Sequence, residues 1–232
     1  MFSPSSSTSV LIVSHGSPSA PEAQERSIAT LAERVAAHLP ERVIAGATLA
    51  APDALEAQIA RLGHPVIFPL FMSDGYFIRH ILAERIAPHG LETLAPFGLL
   101  PGLPDLIVSR LARVLKAKGW ATEDTTLLIA AHGGQSSKGN PEACRTLKAT
   151  LANRLNFRAI RLGFLENPPF VQDISGHLGQ AICLSYFVQR AGHVLDDLPH
   201  SFARSGFEGV ILPPLMEWPE TPELIARALR MS

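Results

Sequence analysis

The chain has 232 residues, 47% of them hydrophobic, and a net charge of −1, enough apolar material to bury a core in one large domain or two small ones. So even a charge balance speaks against a nucleic-acid partner, which needs a basic surface to neutralise phosphates. Two cysteines, Cys144 and Cys183, form no CxxC pair, which argues against a disulfide framework or a zinc ribbon and for a reducing compartment.

In chain order, the first nine residues are polar with no basic start, and the apolar run Val10–Val13 is too short for a signal-peptide core. No stretch reaches the roughly eighteen apolar residues of a membrane span. A soluble, cytoplasmic protein with no membrane partner is expected. Val10–Ser14, short and β-branched, predicts a buried parallel strand. Ile28, Leu31, Val35 and Leu39 recur at helical spacing within Glu22–Leu39, and Pro40 stops that helix. Val43–Leu49 predicts a second strand. Pro52 opens a helix with Leu55, Ile59 and Leu62 on one face, ended by Gly63. Val66–Phe71 predicts a third strand, Arg79–Ile86 a short helix, Leu94–Leu99 a weak strand and Pro104–Lys116 a helix. The polar stretch Lys116–Thr126 reads as a joint. Beyond it, Leu127–Ala131 predicts a strand. Asn140 and Pro141 open a helix with Cys144, Leu147, Leu151 and Leu155 inward. Ala159–Leu165 predicts a strand, and Asn167-Pro168 a helix carrying Val171, Ile174 and Leu178. Ala181–Val188 predicts a strand, Val210–Leu212 a short one, and Pro222–Met231 a last helix.

The second half repeats the first. Val10-Leu11-Ile12-Val13-Ser14-His15-Gly16-Ser17 returns 117 residues later as Leu127-Leu128-Ile129-Ala130-Ala131-His132-Gly133-Gly134. On the same offset Gly46 maps to Gly163 and Pro52 to Pro169, and Phe71 maps to Phe187 one residue short. A steady offset means two copies of one α/β unit. Two lobes are expected, residues 1–118 and 119–232, each a parallel sheet flanked by helices. The loops after their strands would open on a shared cleft.

Three residues of the second lobe follow successive strands: His132, Glu166 and His193. In a parallel sheet such loops share the carboxyl edge, so the three side chains can converge. Two imidazoles and a carboxylate suit a borderline divalent metal, and a neutral imidazole can also take a proton from a substrate. A histidine or a loop glutamate taken alone is more often an ordinary packed or solvated residue; the repeated position is what singles these out. The first lobe is a partial copy. His15 matches His132, but Phe77 stands where the second histidine would be and Leu49 where Glu166 would be. His80 lies one helical turn beyond Phe77, a shift of about 5 Å.

The strand-His-Gly pattern, followed later by Phe187-Val188-Gln189-Arg190-Ala191-Gly192-His193-Val194-Leu195-Asp196-Asp197-Leu198-Pro199, resembles the class II tetrapyrrole chelatases of the CbiX/SirB type. That family's loop after the third strand reads Phe-Leu-small-small-Gly-x-His-x-x-x-Asp-apolar-Pro. This chain keeps Phe187, Gly192, His193, Asp197 and Pro199, with the glycine displaced by one. The first lobe keeps Pro69, Leu70, Phe71, Ser73 and Gly75, but has Phe77, Ile81 and Ala83 for the histidine, aspartate and proline. The resemblance implies two similar lobes and insertion of Co²⁺ or Fe²⁺ into sirohydrochlorin without ATP, in cobalamin or siroheme biosynthesis. It implies no permanently bound cofactor, the metal being a substrate. It makes His132, His193 and Glu166 the metal-binding and catalytic residues. A polycarboxylate macrocycle calls for cations at the rim, for which Lys138, Arg145 and Arg190 are candidates, with His15 as a further substrate-binding residue.

Other readings stand beside this one. A tetrapyrrole or metal carrier derived from a chelatase would retain binding without turnover. A hydrolase using Ser14, His15 and Ser17 has little support, because no GxSxG elbow or P-loop is present. An inert structural subunit, or a homo-oligomer, is also compatible with the sequence.

Overall fold

Short runs of β-branched and small apolar residues, each followed by a helical stretch with one apolar face, can only pair in parallel and bury both sheet faces. The computed structural model, which describes residues 9–133, 139–190 and 193–231, has this architecture. In the first half, β1 (Val10–Ser14) leads through α1 (Pro21–Ala36) to β2 (Ile44–Thr48), and α2 (Ala54–Leu62) leads to β3 (Val66–Pro69). The sheet order is β2-β1-β3, all parallel. A π-helical turn, Phe77–Leu82, follows β3 and runs on into α3 (Ala83–Ile86). Leu11 and Val13 pack with Leu55, Ile59, Ile67, Leu82 and Ile86 on one face of this sheet.

The second half repeats the plan. After α4 (Leu103–Lys118) come β4 (Thr126–Ala131), α5 (Gly139–Arg154), β5 (Ala159–Phe164), the single-turn α6 (Val171–Ile174) and β6 (Ala181–Ser185). A second π-helical turn, His193–Asp197, runs into α7 (Leu198–Ser205), and β7 (Val210–Ile211) adds an edge strand. The sheet order is β5-β4-β6-β7, again all parallel. The chain ends in α8 (Thr221–Arg230). No helix among the described residues is long and apolar enough to cross a membrane.

Three expectations need correction. The stretch Leu94–Leu99 forms no strand: Thr93 makes a lone bridge to Ile67, and Phe97–Leu99 is a 3-10 turn. Pro96 has no N–H to give a ladder. The helix expected after Asn167-Pro168 begins only at Val171 and lasts one turn.

The third correction concerns the boundary between halves. The chain divides into two compact units, one reaching to Leu100 and resuming at Pro222, the other spanning Pro101–Thr221. The boundary expected at 118/119 therefore falls one helix late. Helix α4 belongs to the second unit, where Asp105 pairs with Arg154 of α5, and α8 belongs to the first, where Arg230 donates to the His38 carbonyl.

Strand register refines the repeat. Val10 pairs with Ile44, and its counterpart Leu127 pairs with Ile160. The offset is thus 117 in the first strand of each unit and 116 in the second. The missing residue lies in the first crossover, not near Phe71. Gly46 and Gly163 are consequently one step out of register, and a one-residue step turns a strand residue to the opposite face. A Cβ at Gly46 would lie 2.7 Å from the Ile28 carbonyl oxygen of α1, whereas one at Gly163 would lie 2.9 Å from Ile174 Cδ1 of α6.

Candidate metal site at the carboxyl edge of the second sheet

His132 is the first residue beyond β4. Gly133 follows with φ +82°, a left-handed conformation that glycine adopts without penalty. A side chain there would also collide with the Asn167 side chain. This turn brings the next crossover back over the histidine: Glu166 N–H donates to the His132 carbonyl at 3.1 Å. The two residues are therefore held by backbone as well as by side chain. Their side chains meet, His132 Nδ1 lying 3.4 Å from Glu166 Oε2 and 3.3 Å from the Gly133 carbonyl oxygen. Both are partly open to solvent, 33% and 47% exposed.

The 3.4 Å separation is long for a charge-assisted hydrogen bond, which runs about 2.7–2.9 Å. With its Nδ1–H facing the Gly133 carbonyl and Glu166, the ring keeps Nε2 as the lone pair that can hold an ion, and the carboxylate beside it orients the ring. Among the described residues no cluster of three or more His, Cys, Asp or Glu side chains is found. A third donor is expected from His193, which opens the π-helical turn after β6; its side chain lies outside the described residues, as does Lys138. The cysteines are not ligands of this site. Both are buried, and burial pushes the Cys144 thiol up to about 12 and raises that of Cys183 further.

The expected rim cations are placed as follows. Arg145, exposed on α5, lies 3.4 Å from Glu142. Arg190 is engaged by Glu217 through two parallel hydrogen bonds of 2.8 Å, which hold its guanidinium pKa above the usual value.

The first unit carries a depleted version of the same edge. His15 follows β1, and Gly16 (φ +75°) approaches β2 so closely that a Cβ would lie 2.7 Å from Thr48 Cβ. The His15 ring donates from Nδ1 to the Gly16 carbonyl at 2.9 Å, the only role a carbonyl partner permits. Ala50 N–H donates to the His15 carbonyl at 3.0 Å, as Glu166 N–H does to that of His132. Ala50, not Leu49, is therefore the counterpart of Glu166; Leu49 packs against the apolar cluster instead. Phe77 opens its π-helical turn as His193 opens the other. The Phe77 ring meets the His15 ring edge-on, centroids 4.1 Å apart, and the His80 ring lies on Tyr76. The substitution of Phe for His at 77 was legible in the sequence, but the ring cluster it builds was not, because nothing in the spacing puts Phe77 against His15.

Neither a protein-family model nor a curated relative matches the chain. Among solved structures it is similar to CbiX, described as the terminal enzyme for biosynthesis of siroheme in denitrifying bacteria, with 41% identity, TM-score 0.88, 97% of this chain and 99% of that one covered. It shares its fold with SirB from Bacillus subtilis with Fe³⁺, at 14% identity and TM-score 0.73 over 96% of this chain and 94% of that one. It shares it also with a multi-domain protein from Deinococcus radiodurans that has structural similarity to chelatases, at 18% identity and TM-score 0.73 over 95% of this chain and 54% of that one.

Proposed function

We propose, from the premise that this chain belongs to the CbiX family, that it is a metal chelatase inserting a divalent metal ion into sirohydrochlorin without ATP, and that it works from its second unit. The likeness to a terminal enzyme of siroheme biosynthesis favours Fe²⁺ as the physiological ion; Co²⁺, and with it a cobalamin route, is the competing choice. The observation that carries the reading is the His132–Glu166 pair, 3.4 Å apart at the carboxyl edge of a parallel sheet.

The reaction exchanges two pyrrole N–H protons for one dication. His132 and Glu166 receive the ion from solvent, which both reach, and Glu166 offsets one of its charges. His193, assigned here as the second imidazole, takes a pyrrole proton, and the second proton leaves through the exposed carboxylate as the metal passes to the ring nitrogens. Arg190 is held by Glu217 through Nε and Nη2, so an acidic arm of the macrocycle would meet it as part of that ion pair.

The test is sirohydrochlorin absorbance with Fe²⁺ or Co²⁺. His132→Ala and His193→Ala should each lower kcat/KM about 10²-fold or more, in the range seen when a proton-transfer group is removed. Insertion that survives both substitutions but falls in His15→Ala would move the chemistry to the first unit. Macrocycle binding without insertion by the wild type would make the protein a carrier.

A further inference from the structure

We infer that the first unit carries an aromatic platform, Tyr76 and Phe77 with the rings of His15 and His80, which binds a flat conjugated macrocycle through face and edge contacts; this rests on the tetrapyrrole reading above. Six large apolar side chains stand in solvent among the described residues. Four are scattered in sequence. Tyr76 and Phe77, 54% and 41% exposed, are adjacent, and their rings meet edge-on with centroids 5.9 Å apart. Each also meets an imidazole, Phe77 that of His15 at 4.1 Å and Tyr76 that of His80 at 5.0 Å.

The same π-helical turn buries Ile78 and Leu82, so the turn is already anchored without these two rings. They stand at the carboxyl edge, where the second unit holds its metal-site residues, and Phe77 has the position that His193 has there. A site stripped of its carboxylate by Ala50 and of its second imidazole by Phe77 offers little to a dication. It offers ring faces and edges to a planar aromatic ligand, and Arg79, 66% exposed and hydrogen-bonded to Asp74 through Nε and Nη2, stands on the same turn for an acidic arm. Ring–ring contacts of this kind add to area burial and depend on aromatic character, not on apolar bulk alone.

The experiment titrates metal-free sirohydrochlorin into the full-length wild type, Phe77→Ala, Phe77→Leu and Tyr76→Ala, reading the absorbance change, with thermal melts to confirm folding and sedimentation to follow self-association. Each aromatic truncation should weaken binding about 3- to 10-fold, as loss of one aromatic contact does. Phe77→Leu should behave as Phe77→Ala does. Affinities within twofold of wild type in all three folded variants overturn the platform, whether or not the wild type inserts metal. So does a change in self-association with unchanged macrocycle affinity, which would make the patch an interface between copies. A wild type that binds macrocycle through these rings yet inserts no metal leaves the platform standing and removes the chelatase reading.

Discussion

A single register step decides what residue 50 means. By the sequence offset alone Leu49 takes the place of Glu166, but the hydrogen bonds to the two histidine carbonyls make Ala50 the counterpart. The distinction can be tested by rebuilding the lost site. Ala50→Glu with Phe77→His puts a carboxylate and an imidazole where the second unit has Glu166 and His193. The double variant should bind a second Co²⁺, seen as a doubled stoichiometry in titration against wild type. Leu49→Glu with Phe77→His should not. It drives a carboxylate toward the cluster of Leu11, Val13, Leu55 and Ile59, and should lower stability by about 2 kcal/mol or more, the cost of forcing a polar group onto apolar neighbours. Equal stoichiometry in the two double variants would show the register assignment to be wrong. The nearness of His132 to Glu166 was legible because both residues follow parallel strands of one unit and so share its carboxyl edge. Ala50 was not, because the missing residue sits in a crossover whose length leaves no mark on an apolar pattern.

At the scale of elements, the π-helical turn of the first unit depends on how α3 is tied down. Arg85 of α3 reaches Glu56 of α2 through two hydrogen bonds, 2.7 Å and 2.6 Å, and donates a third to the Leu49 carbonyl at 2.9 Å. The Arg85 hydrogen bond holds the Glu56 carboxyl below its ordinary pKa. A lowered carboxyl pKa adds stability that is present above the unfolded value, about 4.3, and is lost as pH falls through the folded value. Because the Glu56 side chain is 42% exposed, solvent screens the pair, and Glu56→Gln should cost only about 0.5–1 kcal/mol at pH 7. Urea melts of both proteins should differ at pH 7 and draw together as pH falls below the ordinary glutamate value and through the lowered folded one; a gap that does not narrow with falling pH would mean the glutamine disturbs packing instead. Most elements were legible from periodicity. The π-helical turns were not, since one extra residue in a helical turn leaves the apolar spacing nearly unchanged. Nor was the loss of the Leu94–Leu99 strand, although Pro96 was there to be read.

At the scale of the whole molecule, the repeat in sequence and the units in space do not coincide. Reading two copies end to end cuts the chain at 118/119. The structure assigns α4 forward and α8 back. In α4, Leu103, Ile107, Leu111 and Leu115 are buried, and Arg110 stacks over Trp218 within the same unit. In α8, Ile225, Ala226 and Leu229 are fully buried. A helix with such a face cannot be left behind: burying one large apolar side chain contributes about 1.5–3 kcal/mol, and three or four of them match the total stability of a small domain, about 5–15 kcal/mol. No sequence offset could reveal this, because helices with similar amphipathic spacing fit either unit by pattern alone. The fragment 101–221 should therefore fold by itself, with a cooperative melt and native-like circular dichroism, whereas 119–232 should aggregate or melt without cooperativity, having lost α4 and kept an α8 with nothing to cover its apolar face. A cooperative 119–232 would show that the units follow the repeat after all. The comparison bears on function too, since His132, Glu166 and His193 all lie in 101–221: a folded fragment that still binds Co²⁺ would locate the metal site within one unit.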